Sequence, residues 1–183
     1  MPILAIIGAG PLGRWLAAAA AGAGFCVLLE DVMPANLHHA HEELRQKLGP
    51  ETLGAAVTFT STIEEAVREA DLAIDCVPDE LESKLEIFCL LDRMAPPKTV
   101  LLTPTTRLSI SDLAACTYRA ERCVAIAAEA ASLAQLKHDA EIVLRRTAKT
   151  DVAALAMVED FWRALGMQPR IELDPLVERG LQA

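Results

Sequence analysis

Short apolar runs alternate along this chain with longer amphipathic or alanine-rich stretches, which predicts strands alternating with helices. Residues 3–7, ILAII, are continuously apolar and end at a glycine, the pattern of a strand buried on both faces. Residues 12–21 follow as an Ala/Leu stretch of high helix propensity. A second strand is predicted at 25–31, FCVLLED, ending in two acids. The pattern then predicts a helix at 36–48, a strand at 57–60, a helix at 63–68 and a strand at 72–76. A helix at 81–94 stops ahead of Pro96 and Pro97, since proline cannot continue the backbone ladder. A strand at 99–102, a short helix at 109–115 and strands at 123–127 and 141–145 come next. The last elements are a helix at 151–165 closed by Gly166 and a strand at 170–173. No low-complexity linker divides this succession. It is expected to form one α/β domain over 1–183, a doubly wound sheet of the Rossmann type, with 170–183 as a terminal tail or short helix. Ligands of such sheets sit beyond the carboxyl ends of the strands, here after residues 7, 30, 76, 102 and 127.

The first of those places carries the strongest motif. AIIGAGPLG, residues 5–13, sets Gly8, Gly10 and Gly13 in GxGxxG spacing between the first strand and the first helix, the context a dinucleotide-binding turn requires. Gly8 permits the tight turn, Gly10 leaves no Cβ in the way of a pyrophosphate, and Gly13 lets helix and strand pack closely. The helix that starts at Pro11 and Leu12 then offers its first unpaired N–H groups, proline itself having none, and a positive dipole end to the anion. Glu30 and Asp31 stand where such turns place an acid for the adenosine ribose, and strand alternation points them to opposite faces. Either carboxylate repels a 2′-phosphate, and no Arg or Lys follows until Arg45, so NAD is expected over NADP.

Composition narrows the class further. The 183 residues are 52% hydrophobic and only 4% aromatic, so Ala, Leu, Val and Ile must fill the core. A net charge of −9 argues against nucleic acid and anionic membranes as partners. Five cysteines, at 26, 76, 89, 116 and 123, are odd in number and lack a CxxC pair, so they read as reduced thiols. No signal-peptide pattern opens the chain and glycines break its first apolar run, so a cytoplasmic protein is the expectation. HHAH at 38–41 puts His38 and His41 on one helix face, but its setting is an ordinary helix beside the nucleotide strand, and no metal site is expected.

Read in order, these segments resemble the N-terminal domain of the 3-hydroxyacyl-CoA dehydrogenase family. The glycine turn, VLLED and the stretch from ADLAIDCVPDELESKLEIF to TPTTRLSISDLA, within residues 70–114, carry the resemblance, which extends to about Pro169. It implies an eight-stranded sheet whose last two strands run antiparallel to the rest. It implies Asp31 rather than Glu30 as the ribose acid. It also implies a cofactor-side turn at Val77, Pro78 and Asp79, with Lys84 associated with the cofactor. TPTTRLS, residues 103–109, stands where the family has SNTSSLS, which puts Thr106 on the hydroxyl residue facing the substrate oxygen and replaces an Asn by Pro104.

Two departures follow. The family's HFFNP-type motif supplies the His that takes the hydroxyl proton as hydride leaves for nicotinamide, but here the stretch is AAEAA, with Ala127 for the His and Ala130 for the Asn. A positioned base contributes roughly a factor of 10² to 10⁴, so its loss raises the barrier by about 3 to 5 kcal/mol. Glu141 matches the acid that orients that His, and Glu129 and His138 are the candidate replacement bases. The family's helical C-terminal domain, which closes the acyl-CoA site and forms the dimer, is the second departure, since the chain ends at Ala183. Three functions are therefore open: interconversion of 3-hydroxyacyl-CoA and 3-ketoacyl-CoA with NAD, a non-catalytic NAD-binding sensor or partner subunit, and another small oxidoreductase drawing its proton from water. A homodimer through the face that the family's second domain covers is a further expectation.

Overall fold

The computed structural model describes residues 1–175. β1 (Ile3–Ile7) leads through α1 (Pro11–Gly22) to β2 (Cys26–Glu30), and α2 (Pro34–Leu48) and α3 (Pro50–Ala56) lead to β3 (Val57–Thr60). Then come α4 (Ile63–Val67), β4 (Leu72–Asp75), α5 (Leu81–Met94), β5 (Val100–Pro104), α6 (Ile110–Ala115) and, after one 3₁₀ turn, β6 (Cys123–Ile126). α7 (Ala130–Leu133), β7 (Glu141–Arg146), α8 (Val152–Ala164) and β8 (Gln168–Leu173) complete the order. The eight strands form one sheet in the order β3-β2-β1-β4-β5-β6-β7-β8. β6 pairs antiparallel with β7 while β7 and β8 pair parallel with each other, so the last two strands run opposite to the other six, as expected.

Strand alternation divides the core in two. Leu4, Ile6, Leu72, Ile74, Val100, Leu102, Val124 and Ile126 face one layer, filled by α1, α2, α3 and α8. Ala5, Ile7, Ala73, Leu101 and Ala125 face the other, filled by α4, α5 and α6. With so few aromatics, the first layer draws its bulk from the edge contacts of Phe161 with Phe25 and Trp162, at ring centroid separations of 5.3 and 5.1 Å.

Three elements differ from the sequence expectation. Residues 50–56 are helical although Gly54 weakens their pattern, because Pro50 is preorganised for a first turn and Leu53 buries against the core. β5 runs on to Pro104: β4 makes its last pairing to β5 at Leu102, so the donor that proline lacks faces no strand on that side. β6 ends at Ile126 and the alanine-rich segment after it turns into α7, following helix propensity rather than strand continuation. Residues 170–173 belong to β8, and the short terminal helix considered for the tail falls on residues outside the described range.

Candidate functional site

The strand order reverses between β1 and β4, and beyond the carboxyl ends of the strands at this point lies a cleft of about 650 Å³. Its first wall is the glycine turn. Gly8 has φ +105°, a region L side chains avoid, and its N–H donates to Glu30 O at 2.8 Å, which extends the β1–β2 ladder by one bond. Gly10 caps α1 and Pro11 opens it, so the first-turn donors left for an anion are the amides of Leu12 and Gly13. A Cβ on Gly13 would lie 1.9 Å from the Gly8 carbonyl oxygen, whereas one on Gly10 would meet nothing within 4 Å. Packing therefore requires glycine at 13 and backbone conformation requires it at 8, while Gly10 keeps open room toward the cleft. The side chains of Pro11 and Leu12 do not line it: Pro11 is exposed and Leu12 is core.

Asp31 lines the cleft and Glu30 does not. The Asp31 carboxylate is nearly buried and fully engaged: Oδ2 accepts from Ala9 N–H at 2.9 Å and Oδ1 from Met33 N–H at 2.8 Å. The Asn36 amide, one turn into α2, adds a bond of 3.1 Å to each oxygen. These four bonds match the roughly four lone-pair sites of a carboxylate. Burial first, then the neighbouring charge of Asp31, pushes the Glu30 carboxyl up to about 7.

The cleft's second wall comes from the turns after β4 and β5. Val77, Pro78, Asp79, Pro104 and Thr106 line it. Lys84 does not. Far from a solvated helix face, its ammonium is fully buried below the turn, 3.0 Å from Asp75 Oδ2 and 2.9 Å from Thr103 Oγ1. Direct cofactor contact by Lys84 is thus replaced by a buried cluster, in which Asp75 Oδ1 also accepts from Val77 N–H at 2.9 Å. Burial raises the Asp75 carboxyl, and the Lys84 ammonium, the Val77 amide and the Thr103 hydroxyl pull it back without reversing the shift. Cys76 lines the cleft, its thiol pushed strongly up by burial. Above the cluster, Thr106 N–H points to Asp79 Oδ2 at 3.4 Å, while Asp79 Oδ1 is a buried acceptor without a partner among the described residues.

The third wall is the turn after β6. Ala128, Glu129, Ala130 and Ala131 line it, and no imidazole does. Since β6 stops at Ile126, Glu129 reaches the cleft as the cap residue of α7 rather than by strand alternation. His138 lies outside the lining, paired with Asp139 at 3.0 Å. Glu141 is exposed at the start of β7 and pairs with Arg170 at 3.0 Å, so it too is displaced from the cleft that sequence matching gave it. His38 and His41 are exposed, and among the described residues no group of three or more His, Cys, Asp or Glu side chains is arranged to hold a metal. Lining residues that the sequence did not point out include Asn36, whose only signal is its place in the first turn of a helix after Asp31, Cys76, which reads only as a reduced thiol, and Arg107, hidden in a polar loop.

The residues present fit NAD. Gly10 leaves the phosphate approach open, Asp31 is held at the cleft by two backbone amides, and Asp79 Oδ1 offers a buried acceptor to which no described residue donates. Fold and cleft together define a dinucleotide-binding domain. The sequence signature of the "3-hydroxyacyl-CoA dehydrogenase, NAD binding domain" family matches residues 3–172, so the chain belongs to that family and its cofactor is NAD. A probable 3-hydroxybutyryl-CoA dehydrogenase of Bacillus subtilis is 31% identical over 131 residues, covering 65% of this chain and 45% of its own. The 5-formyl-3-hydroxy-2-methylpyridine 4-carboxylate 5-dehydrogenase of Mesorhizobium japonicum is 29% identical over 175 residues, covering 91% and 55%. Among solved structures, a 3-hydroxyacyl-CoA dehydrogenase of Archaeoglobus fulgidus superposes with a TM-score of 0.79 at 26% identity, over 99% of this chain and 60% of its own. The chain spans about half the length of the curated relatives it matches. No described helix is long and apolar enough to cross a membrane.

Proposed function

We propose that this chain forms the NAD-holding part of an oxidoreductase that interconverts a 3-hydroxyacyl-CoA and its 3-ketoacyl-CoA, with Glu129 in place of the family's histidine as proton acceptor. The observation that carries the reading is the convergence of Gly10, Asp31, Thr106 and Glu129 on one cleft that no histidine lines. The relatives' names support the chemistry, for they pair a hydroxyl or formyl group with either a CoA thioester or a free carboxylate. Bound NAD supplies the hydride acceptor. The chain's own residues do the rest: the amides of Leu12 and Gly13 hold the pyrophosphate, and Asp31 takes the adenosine ribose. The Thr106 hydroxyl donates to the substrate oxygen, and the Glu129 carboxylate removes the hydroxyl proton as the carbon-bound hydrogen leaves with its electron pair. In the reverse direction the protonated Glu129 returns that proton to the carbonyl oxygen.

Titration with NADH, with NADPH as control, tests the cofactor site, and oxidation of NADH by acetoacetyl-CoA at high protein concentration tests turnover. Glu129→Gln is expected to lower turnover by roughly 10² to 10⁴ while NADH affinity stays unchanged. Turnover untouched by Glu129→Gln moves the base elsewhere. Selective NADH binding with no turnover favours the second reading, a non-catalytic NAD module, for which Ala127 and Ala130 speak.

A further inference from the structure

Arg107, on the wall of the cleft, has no part in the chemistry above. It is the one cation among the described residues that line the cleft, set against the carboxylates of Asp31, Asp79 and Glu129. It also departs from the SNTSSLS loop that TPTTRLS resembles, standing in place of the second of the adjacent serines.

The loop holds this cation in place rather than leaving it to wander. Thr105 is buried, and its hydroxyl accepts from the backbone N–H groups of Arg107 and Leu108 at 3.3 and 3.0 Å. The guanidinium is tethered across the cleft wall, where Nη2 donates to Asp79 O at 2.8 Å and Nε lies 3.8 Å from Asp79 Oδ2. Nη1 makes no hydrogen bond to any described residue, and the side chain is 72% exposed. One edge of the fork is thus fixed to the protein and the other is left free, on a residue that lines the cleft next to Thr106. A tethered fork with a free edge is suited to a pair of anionic oxygens.

The surrounding charges add direction. With the α1 start given to the cofactor's pyrophosphate, an anionic group of a second ligand meets three carboxylates and one cation among the described lining residues, so Arg107 sets which way round that ligand lies. We propose that Arg107 is the anion-recognising residue of the substrate site, receiving two anionic oxygens of the ligand, either a carboxylate on the substrate or a phosphate of coenzyme A. This inference rests on the cleft being a substrate site, as proposed above. It adds which part of the substrate is recognised and by what.

The test is calorimetric titration of the NADH-saturated protein with acetoacetate and, separately, with coenzyme A, comparing wild type, Arg107→Met and Arg107→Lys. Methionine keeps an unbranched apolar stem and removes the charge; lysine keeps the charge and removes the fork. Arg107→Met is expected to weaken the anionic ligand by about tenfold or more, Arg107→Lys by less, and NADH affinity is expected to be the same in all three. Loss of acetoacetate binding identifies a carboxylate as the ligand group; loss confined to coenzyme A identifies a phosphate. Equal affinity of wild type and Arg107→Met for both ligands, or no binding of either by wild type, overturns the proposal. If NADH itself does not bind, the cofactor reading fails and the same titrations on the free protein decide the role of Arg107 by the same criteria. A protein that binds NADH and the anion through Arg107 but does not turn over refutes catalysis and leaves the anion seat standing.

Discussion

At the scale of single residues, the end of β2 shows how two adjacent acids acquire different work. Asp31 is anchored by two backbone amides and enters the cleft, while Glu30 is buried with no hydrogen bond to its carboxyl from any described residue. The unfolded chain releases the Glu30 proton near 4.5 and the folded chain near 7, so between these values the folded state binds more protons and stability falls as pH rises. Glu30→Gln is expected to remove that slope, stabilising the protein at pH 8 by up to about 3 kcal/mol relative to wild type and little at pH 4, as urea melts at the two pH values will show. Asn36 poses a separate question, because its amide occupies acceptor sites on Asp31 that ribose hydroxyls need. Asn36→Ala is expected to raise NADH affinity about two- to tenfold in titration, and a fall would make Asn36 a ligand of the ribose instead of its competitor.

At the scale of elements, the β1–α1 unit depends on one close approach. The Gly8 carbonyl and the Gly13 Cα stand so near that Gly13→Ala must push α1 off the strand, at a cost of about 1–3 kcal/mol. The same displacement moves the amides of Leu12 and Gly13 away from the cleft, so NADH affinity is expected to fall with stability. Gly22→Ala, at a helical glycine with nothing within 4 Å of the added Cβ, is the control and is expected to be neutral or stabilising by about 0.5–1 kcal/mol. Thermal melts and NADH titrations of both variants separate the packing requirement at 13 from a general effect of alanine. The turn after β6 makes the complementary point: its alanines favour a helix, and that helix rather than a longer strand brings Glu129 to the cleft.

At the scale of the whole molecule, the parallel order of the central strands gathers turns that are far apart in the chain onto one edge of the sheet, and a buried ionic cluster ties two of them together. Lys84 on α5, Asp75 at the end of β4 and Thr103 on β5 meet below the cleft, so the turns at 77–79 and 104–107 share one foundation. Lys84→Met leaves a buried carboxylate without its counter-ion and is expected to cost about 3–5 kcal/mol. Adding Asp75→Asn is expected to recover part of that loss, with a coupling of about 1–3 kcal/mol in a double-mutant cycle measured by urea unfolding. The sequence by itself determined the eight strands, the glycine turn and the family, because buried parallel strands must be continuously apolar and a pyrophosphate turn must be built from glycine. It also determined that alanine stands where a base is expected, since that is a matter of residue type alone. Only the tertiary structure decided that Lys84 lies buried on Asp75, that Glu141 is drawn to Arg170, and that Asn36, Arg107 and Glu129 face one cleft. Those outcomes depend on which side chains the crossing of strands brings within a few ångströms, and residues tens of positions apart carry no local signal of that meeting.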